Sequence, residues 1–164
     1  MKKFLLFALF ALIIFELSFA VTLDVPFVKQ RTDFCGPASL SSVMTYFGDK
    51  VDQDEIASFV YNPKLKGALI TDLQNFAKER GFETILKSSN IEEIKSFIDQ
   101  KKPVIALIDL GFWVISKPHY VVIVGYNQYG FLLNTGYKEK EFMSYRDFQE
   151  KWEKMGKVIL VVYK

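Results

Sequence analysis

The apolar residues of this chain change their spacing at Pro103. Before it they recur mostly at helical intervals. After Gly36-Pro37, the residues Leu40, Val43, Met44 and Phe47 fall at i, i+3, i+4, i+7. That spacing predicts a helix with one core face, closed by Gly48. Pro37 suits the first turn, where a missing N–H costs nothing. A short second helix is expected from Asp52, with Glu55 as its capping-box partner, ending before Asn62-Pro63. Thr71 and Gln74 form another box, for a helix with the face Leu73, Phe76 and Ala77 and its end at Gly81. Residues 83–88 alternate as a short strand. Asn90 and Glu93 then cap an amphipathic helix carrying Ile91, Ile94, Phe97 and Ile98.

Beyond Pro103 the pattern becomes that of strands. Val104–Asp109 reads as a buried strand and Leu110–Pro118 as a loop containing Trp113. His119–Tyr126 and Phe131–Thr135 are strands joined by the turn Asn127-Gln128-Tyr129-Gly130. Residues 138–143 add a further strand. Ser144 caps a helix to about Lys154, and Val158–Tyr163 closes the chain. Helices first and an antiparallel sheet after them make an α+β domain.

The first twenty residues read as a secretory signal. Lys2 and Lys3 precede the apolar run Phe4–Phe15, and Ser18-Phe19-Ala20 offers small residues for cleavage after Ala20. The alternative is an uncleaved anchor, although the run is short for a span and Glu16 interrupts it. No stable membrane span is expected once the signal is removed. The remaining residues 21–164 suffice for one domain with a sizeable core. The formal charge of +2 falls to about +1 without the signal, so no basic stripe points to nucleic acid. The chain would be exported, to the periplasm or beyond the cell. Its oligomeric state is not legible.

Export sharpens the meaning of the single cysteine. Structural cysteines in oxidising compartments come in pairs, and Cys35 has no partner in the chain. It is a reactive thiol, half of an intermolecular disulfide, or an inert buried side chain. Cys35 sits where the first helix begins, and a helix N-terminus stabilises a thiolate. The single histidine, His119, heads the apolar strand that follows Pro118. A thiol and an imidazole at the ends of two elements are the parts of a nucleophile–base pair. A preformed thiolate–imidazolium pair, with a depressed cysteine pKa, is the corresponding expectation. One Cys and one His do not make a metal site, so neither metal nor cofactor is expected.

Together, Gln30, Cys35-Gly36-Pro37-Ala38, His119-Tyr120-Val121-Val122 and Leu132-Leu133-Asn134-Thr135-Gly136 resemble the papain-like bacteriocin-processing (double-glycine) peptidase family. The likeness is to its free-standing exported branch. Val25-Pro26-Phe27 and the Phe148…Trp152 helix extend it over residues 24–163. The resemblance implies a papain-like fold with the nucleophile at a helix start, packed on a C-terminal antiparallel sheet. It implies Cys35 as nucleophile and His119 as general base and then acid. Gln30 would donate to the oxyanion beside the Cys35 N–H, and Asn134 would orient the imidazole. In a regular ladder centred on residues 127–130, Asn134 faces Ile123 and shares a sheet face with His119. Trp113 and Tyr120 either pack on the sheet or line a substrate groove.

The implied activity is hydrolysis of peptide bonds in an exported protein or peptide. Two rivals stay open: an inactive peptidase-like binding module, and an amide-transfer enzyme in which an amine replaces water.

Overall fold

The computed structural model describes residues 21–164; the expected signal segment 1–20 lies outside them. Nine strands and five helices follow in order. They are β1 (Val21–Thr22), α1 (Cys35–Tyr46), α2 (Gln53–Val60), β2 (Tyr61–Asn62), β3 (Gly67–Ala68), α3 (Ile70–Glu79) and β4 (Glu83–Ser88). The second half holds α4 (Ile91–Asp99), β5 (Val104–Asp109), β6 (Pro118–Tyr126), β7 (Gly130–Asn134), β8 (Glu141–Ser144), α5 (Tyr145–Glu153) and β9 (Val158–Tyr163). The architecture is mixed helix and antiparallel sheet, as the pattern implied.

The main sheet runs β4-β9-β5-β6-β7-β8. Every pair in it is antiparallel, and β1 pairs with the far end of β6 at Tyr126 and Gly125. The register shows that helices cover both faces. Tyr120 and Val122 share a face with Asn134, which pairs with Val122. That face meets α1, because a Cβ on Gly36 would lie 3.2 Å from the Tyr120 ring. Phe131 lies on the other face of β7 and packs edge-on against Phe148 of α5, centroids 5.0 Å apart. Double coverage explains why β5 and β6 are nearly continuous apolar runs rather than alternating ones.

The first helix differs from its expectation. Rather than presenting one core face, α1 buries nine consecutive residues, Gly36 to Met44. Beside Leu40, Val43 and Met44, its buried positions are Gly36, Pro37, Ala38 and three serines, small enough for close approach. Two of its three buried serine hydroxyls donate to backbone: Ser41 to Val51 O at 2.6 Å and Ser42 to Pro26 O at 2.5 Å. Gly48, at φ +90°, ends the helix where a Cβ would be strained.

The capping signals divide. Asp52, Asn90 and Ser144 each accept a backbone N–H at their helix starts. The Thr71–Gln74 box is absent. The helix starts at Ile70 without a side-chain cap, and Gln74 reaches Thr84 instead, at 3.0 Å. Glu55 likewise turns away from its helix start to pair with Arg80. In both cases a tertiary partner captured the side chain that local spacing assigned to the cap.

Candidate active site

The start of α1 and the start of β6 meet. Cys35 is the first residue of its helix, and Phe34 before it offers no side-chain cap. The first turn carries no acidic residue either, so nothing but the thiol claims the forward N–H groups. The backbone N–H groups of Tyr120, Gly36 and Cys35 itself all lie against the sulfur. Tyr120 immediately follows His119, so the thiol sits at the imidazole's own strand end. The missing Cβ of Gly36 permits this closeness, because Leu73 and the Tyr120 ring already stand 3.1 and 3.2 Å from where it would be. The Tyr120 hydroxyl donates to Ala68 O at 3.0 Å, which makes it a packing residue under the thiol.

His119 is 2% exposed. Its Nε2 lies 2.7 Å from the carbonyl oxygen of Thr135. A carbonyl only accepts, so Nε2 must carry the proton. In the neutral ring the lone pair is therefore on Nδ1. Lys117, two residues before the imidazole, adds a like charge that disfavours its protonation.

Asn134 does not meet the imidazole. Its Nδ2 donates to Val25 O at 3.4 Å, and its Oδ1 accepts from Lys140 N at 3.0 Å. The cause is a register shift between Ile123 and Gly125, which pairs Asn134 with Val122 in place of Ile123. A one-residue slip moves a side chain to the other sheet face, so in the ladder Asn134 faces away from His119. Thr135 supplies the partner through its backbone. A carbonyl has no side-chain signature, and that is why the sequence did not reveal it.

Tyr137 is the other residue that the sequence left unmarked. Its ring stacks on the imidazole, centroids 5.3 Å apart and planes 8° from parallel. Its hydroxyl accepts from Gln30 Nε2 at 3.3 Å. Gln30 is held to the same loop by its backbone N–H, which donates to Gly136 O at 2.9 Å. Gly136 has φ +77°, and a Cβ there would lie 2.5 Å from Gln30 Oε1. That oxygen is buried without a partner. Gln30, Tyr137 and His119 thus form one connected cluster at the start of β6, the strand end that the thiol reaches through the Tyr120 N–H.

Burial governs the charges. It pushes the Cys35 thiol up from its ordinary value, against the pull of the three N–H groups. It pushes the His119 imidazole down, against the Thr135 carbonyl. The two shifts favour the neutral thiol and the neutral imidazole respectively. That is the reverse of the preformed ion pair expected from the helix start, where desolvation outweighs the helix dipole.

Residues 22–160 match the sequence profile of the Peptidase_C39 like family. No curated protein matches the chain. Among solved structures, a C39-like peptidase from Bacillus anthracis superposes with TM-score 0.72 at 19% identity, over 90% of this chain and 98% of that one. The peptidase domain of Streptococcus ComA, a bifunctional ABC transporter involved in quorum sensing, gives TM-score 0.69 at 23% identity, over 84% and 96%. A double-glycine-motif protease from an AMS/PCAT transporter, in complex with its leader peptide, gives TM-score 0.70 at 20% identity, over 86% and 92%.

Proposed function

Because the chain belongs to the Peptidase_C39 like family, we propose that it is a cysteine peptidase acting on an exported protein or peptide through Cys35 and His119. The observation that carries this reading is the 2.7 Å contact between His119 Nε2 and the Thr135 carbonyl. It leaves Nδ1 as a base at the strand end against which the thiol lies.

The proton of the Cys35 thiol passes to His119 Nδ1 as sulfur bonds to the substrate carbonyl carbon. The carbonyl oxygen becomes an oxyanion, held by the free N–H groups at the start of α1 and by the Gln30 amide. His119 returns the proton to the departing amine, and water releases the thioester. Thr135 orients the ring that Asn134 was expected to orient. Asn134 becomes a positioning residue, tying the 135–140 loop to Val25 and Lys140. The segment Lys2…Ala20 supports export to the periplasm or the exterior.

The test needs no known substrate. Incubated with p-nitrophenyl acetate, the protein should gain one acetyl group by intact-mass measurement, faster than its urea-unfolded form does. Cys35→Ser should gain none at that rate. Acetylation no faster than the unfolded thiol would defeat the reading in favour of a peptidase-like binding module. Transfer of the acetyl group to an added amine in preference to water would mark an amide-transfer enzyme.

Tyr137 gives a second expectation. Tyr137→Ala uncovers the imidazole and returns its pKa toward the ordinary 6.5, so the acid limb of acetylation moves up in pH. Tyr137→Phe keeps the stack and leaves that limb in place. Equal profiles for both variants would remove the shielding role.

A further inference from the structure

The loop between β5 and β6 ends in a tongue whose side chains point away from the protein. Phe112, Trp113, Val114 and Ile115 are 86%, 87%, 80% and 72% exposed. Folded domains rarely show a run of large apolar side chains like this without a use for it. The tongue is also an ordered feature. Phe112 and Ile115 bridge across it, with Ile115 N donating to Phe112 O at 3.1 Å. At the neck, Asp109 Oδ1 accepts from both Gly111 N and Lys117 N at 2.7 Å, and Leu110 N donates to Lys117 O at 2.9 Å. Asp109 is itself buried. A Cβ on Gly111 would stand 1.8 Å from Ile115 O, so only glycine allows so narrow a neck.

Three properties identify the occupant. The first is shape. A residue lining a groove is shaded by the opposite wall, and these four have no opposite wall. The second is area. Aromatic side chains offer roughly 150–250 Å² each, and two of them with two aliphatics on a narrow stem fall short of the roughly 800 Å² per side of a stable protein interface. A fluid bilayer closes around a tip and sets no such minimum. The third is charge. Between Asp109 and Lys138 the only charged residue is Lys117, at the neck. An apolar tip with tryptophan at its turn and lysine behind it matches the layering of a bilayer interface with anionic headgroups.

We propose that the Phe112–Ile115 tongue inserts into the interfacial layer of a lipid bilayer bearing anionic headgroups and holds the His119 end of the sheet at the membrane surface. The inference is independent of whether the protein turns over peptides. One such tip gives reversible attachment.

The chain's two tryptophans make the test direct. Trp152 is buried at 1% exposure and Trp113 is not, so a change of emission on adding vesicles reports the tongue. Vesicles containing phosphatidylglycerol should shift the emission to the blue, and acyl-chain-brominated lipid should quench it. Bromination reads the depth of Trp113 itself, so attachment through residues 1–20 would not mimic the result. Phe112→Ser with Val114→Ser and Ile115→Ser keeps the probe and should weaken the partition more than about tenfold. Lys117→Glu should weaken it on anionic vesicles but not on pure phosphatidylcholine. Unquenched emission with the unaltered protein overturns the proposal, whether the protein is then monomeric or self-associates through the tongue.

Discussion

His119→Ala slows acetylation of Cys35 by about 10²–10⁴-fold, the range that a positioned general base contributes. The pH profile changes with it. With His119 present the rate depends on the neutral imidazole, whose pKa burial holds below its ordinary 6.5. The midpoint of the acid limb should therefore lie below pH 6.5. Without His119 the thiol must ionise unaided, and burial has pushed it above its ordinary 9.0. The variant should become reactive only in alkaline solution beyond that value. If both proteins follow one profile, the imidazole takes no part in the chemistry. The same shifts bear on stability. As pH falls through 6.5, the unfolded chain binds a proton that folded His119 resists. As pH rises through 9.0, the unfolded chain releases one that folded Cys35 retains. Each costs folding free energy at its own end of the scale.

Phe131→Ala lowers the unfolding free energy by about 3–5 kcal/mol, a large share of the roughly 5–15 kcal/mol that domains possess. Phe131 is fully buried and meets Tyr145 and Phe148 edge-on, each with centroids 5.0 Å away. Its site lies on the α5 face of the sheet, opposite α1. Urea unfolding should show the loss as a lower midpoint at constant slope. Acetylation of the fraction that remains folded should keep the unaltered rate. A loss below 1 kcal/mol would mean that α5 and β7 collapse into the space with little cost.

Most of the fold was legible because its elements announce themselves locally. Asp52, Asn90 and Ser144 capped where their spacing said, and Asn127-Gln128-Tyr129-Gly130 turned where its composition said. Failures occurred where a distant residue entered. The Gln74 side chain left the cap for Thr84, and the small residues of α1 became a buried surface because α2, α3 and β6 all pack against that helix. At the site, Cys35 and His119 were legible as residue types at element ends. Thr135 and Tyr137 were not. A carbonyl partner looks the same in any residue, and the stacking of Tyr137 depends on a loop conformation that Gly136 and Asn134 maintain together. The register shift near Val124 moved Asn134 from one face to the other, and no periodicity in the sequence foretold it.

The place of β9 has a consequence in time. The strand latest in sequence, Val158–Tyr163, lies between β4 and β5, and α1 packs on it as well as on β6. A ribosome adds about 5–20 residues per second. Until Val158–Tyr163 emerges, β4 and β5 each lack a neighbour, and the helix bearing Cys35 lacks part of its floor. The central sheet therefore stays incomplete until this strand has been made. The floor beneath the helix that bears Cys35 is whole only after every other described element of the domain has been made.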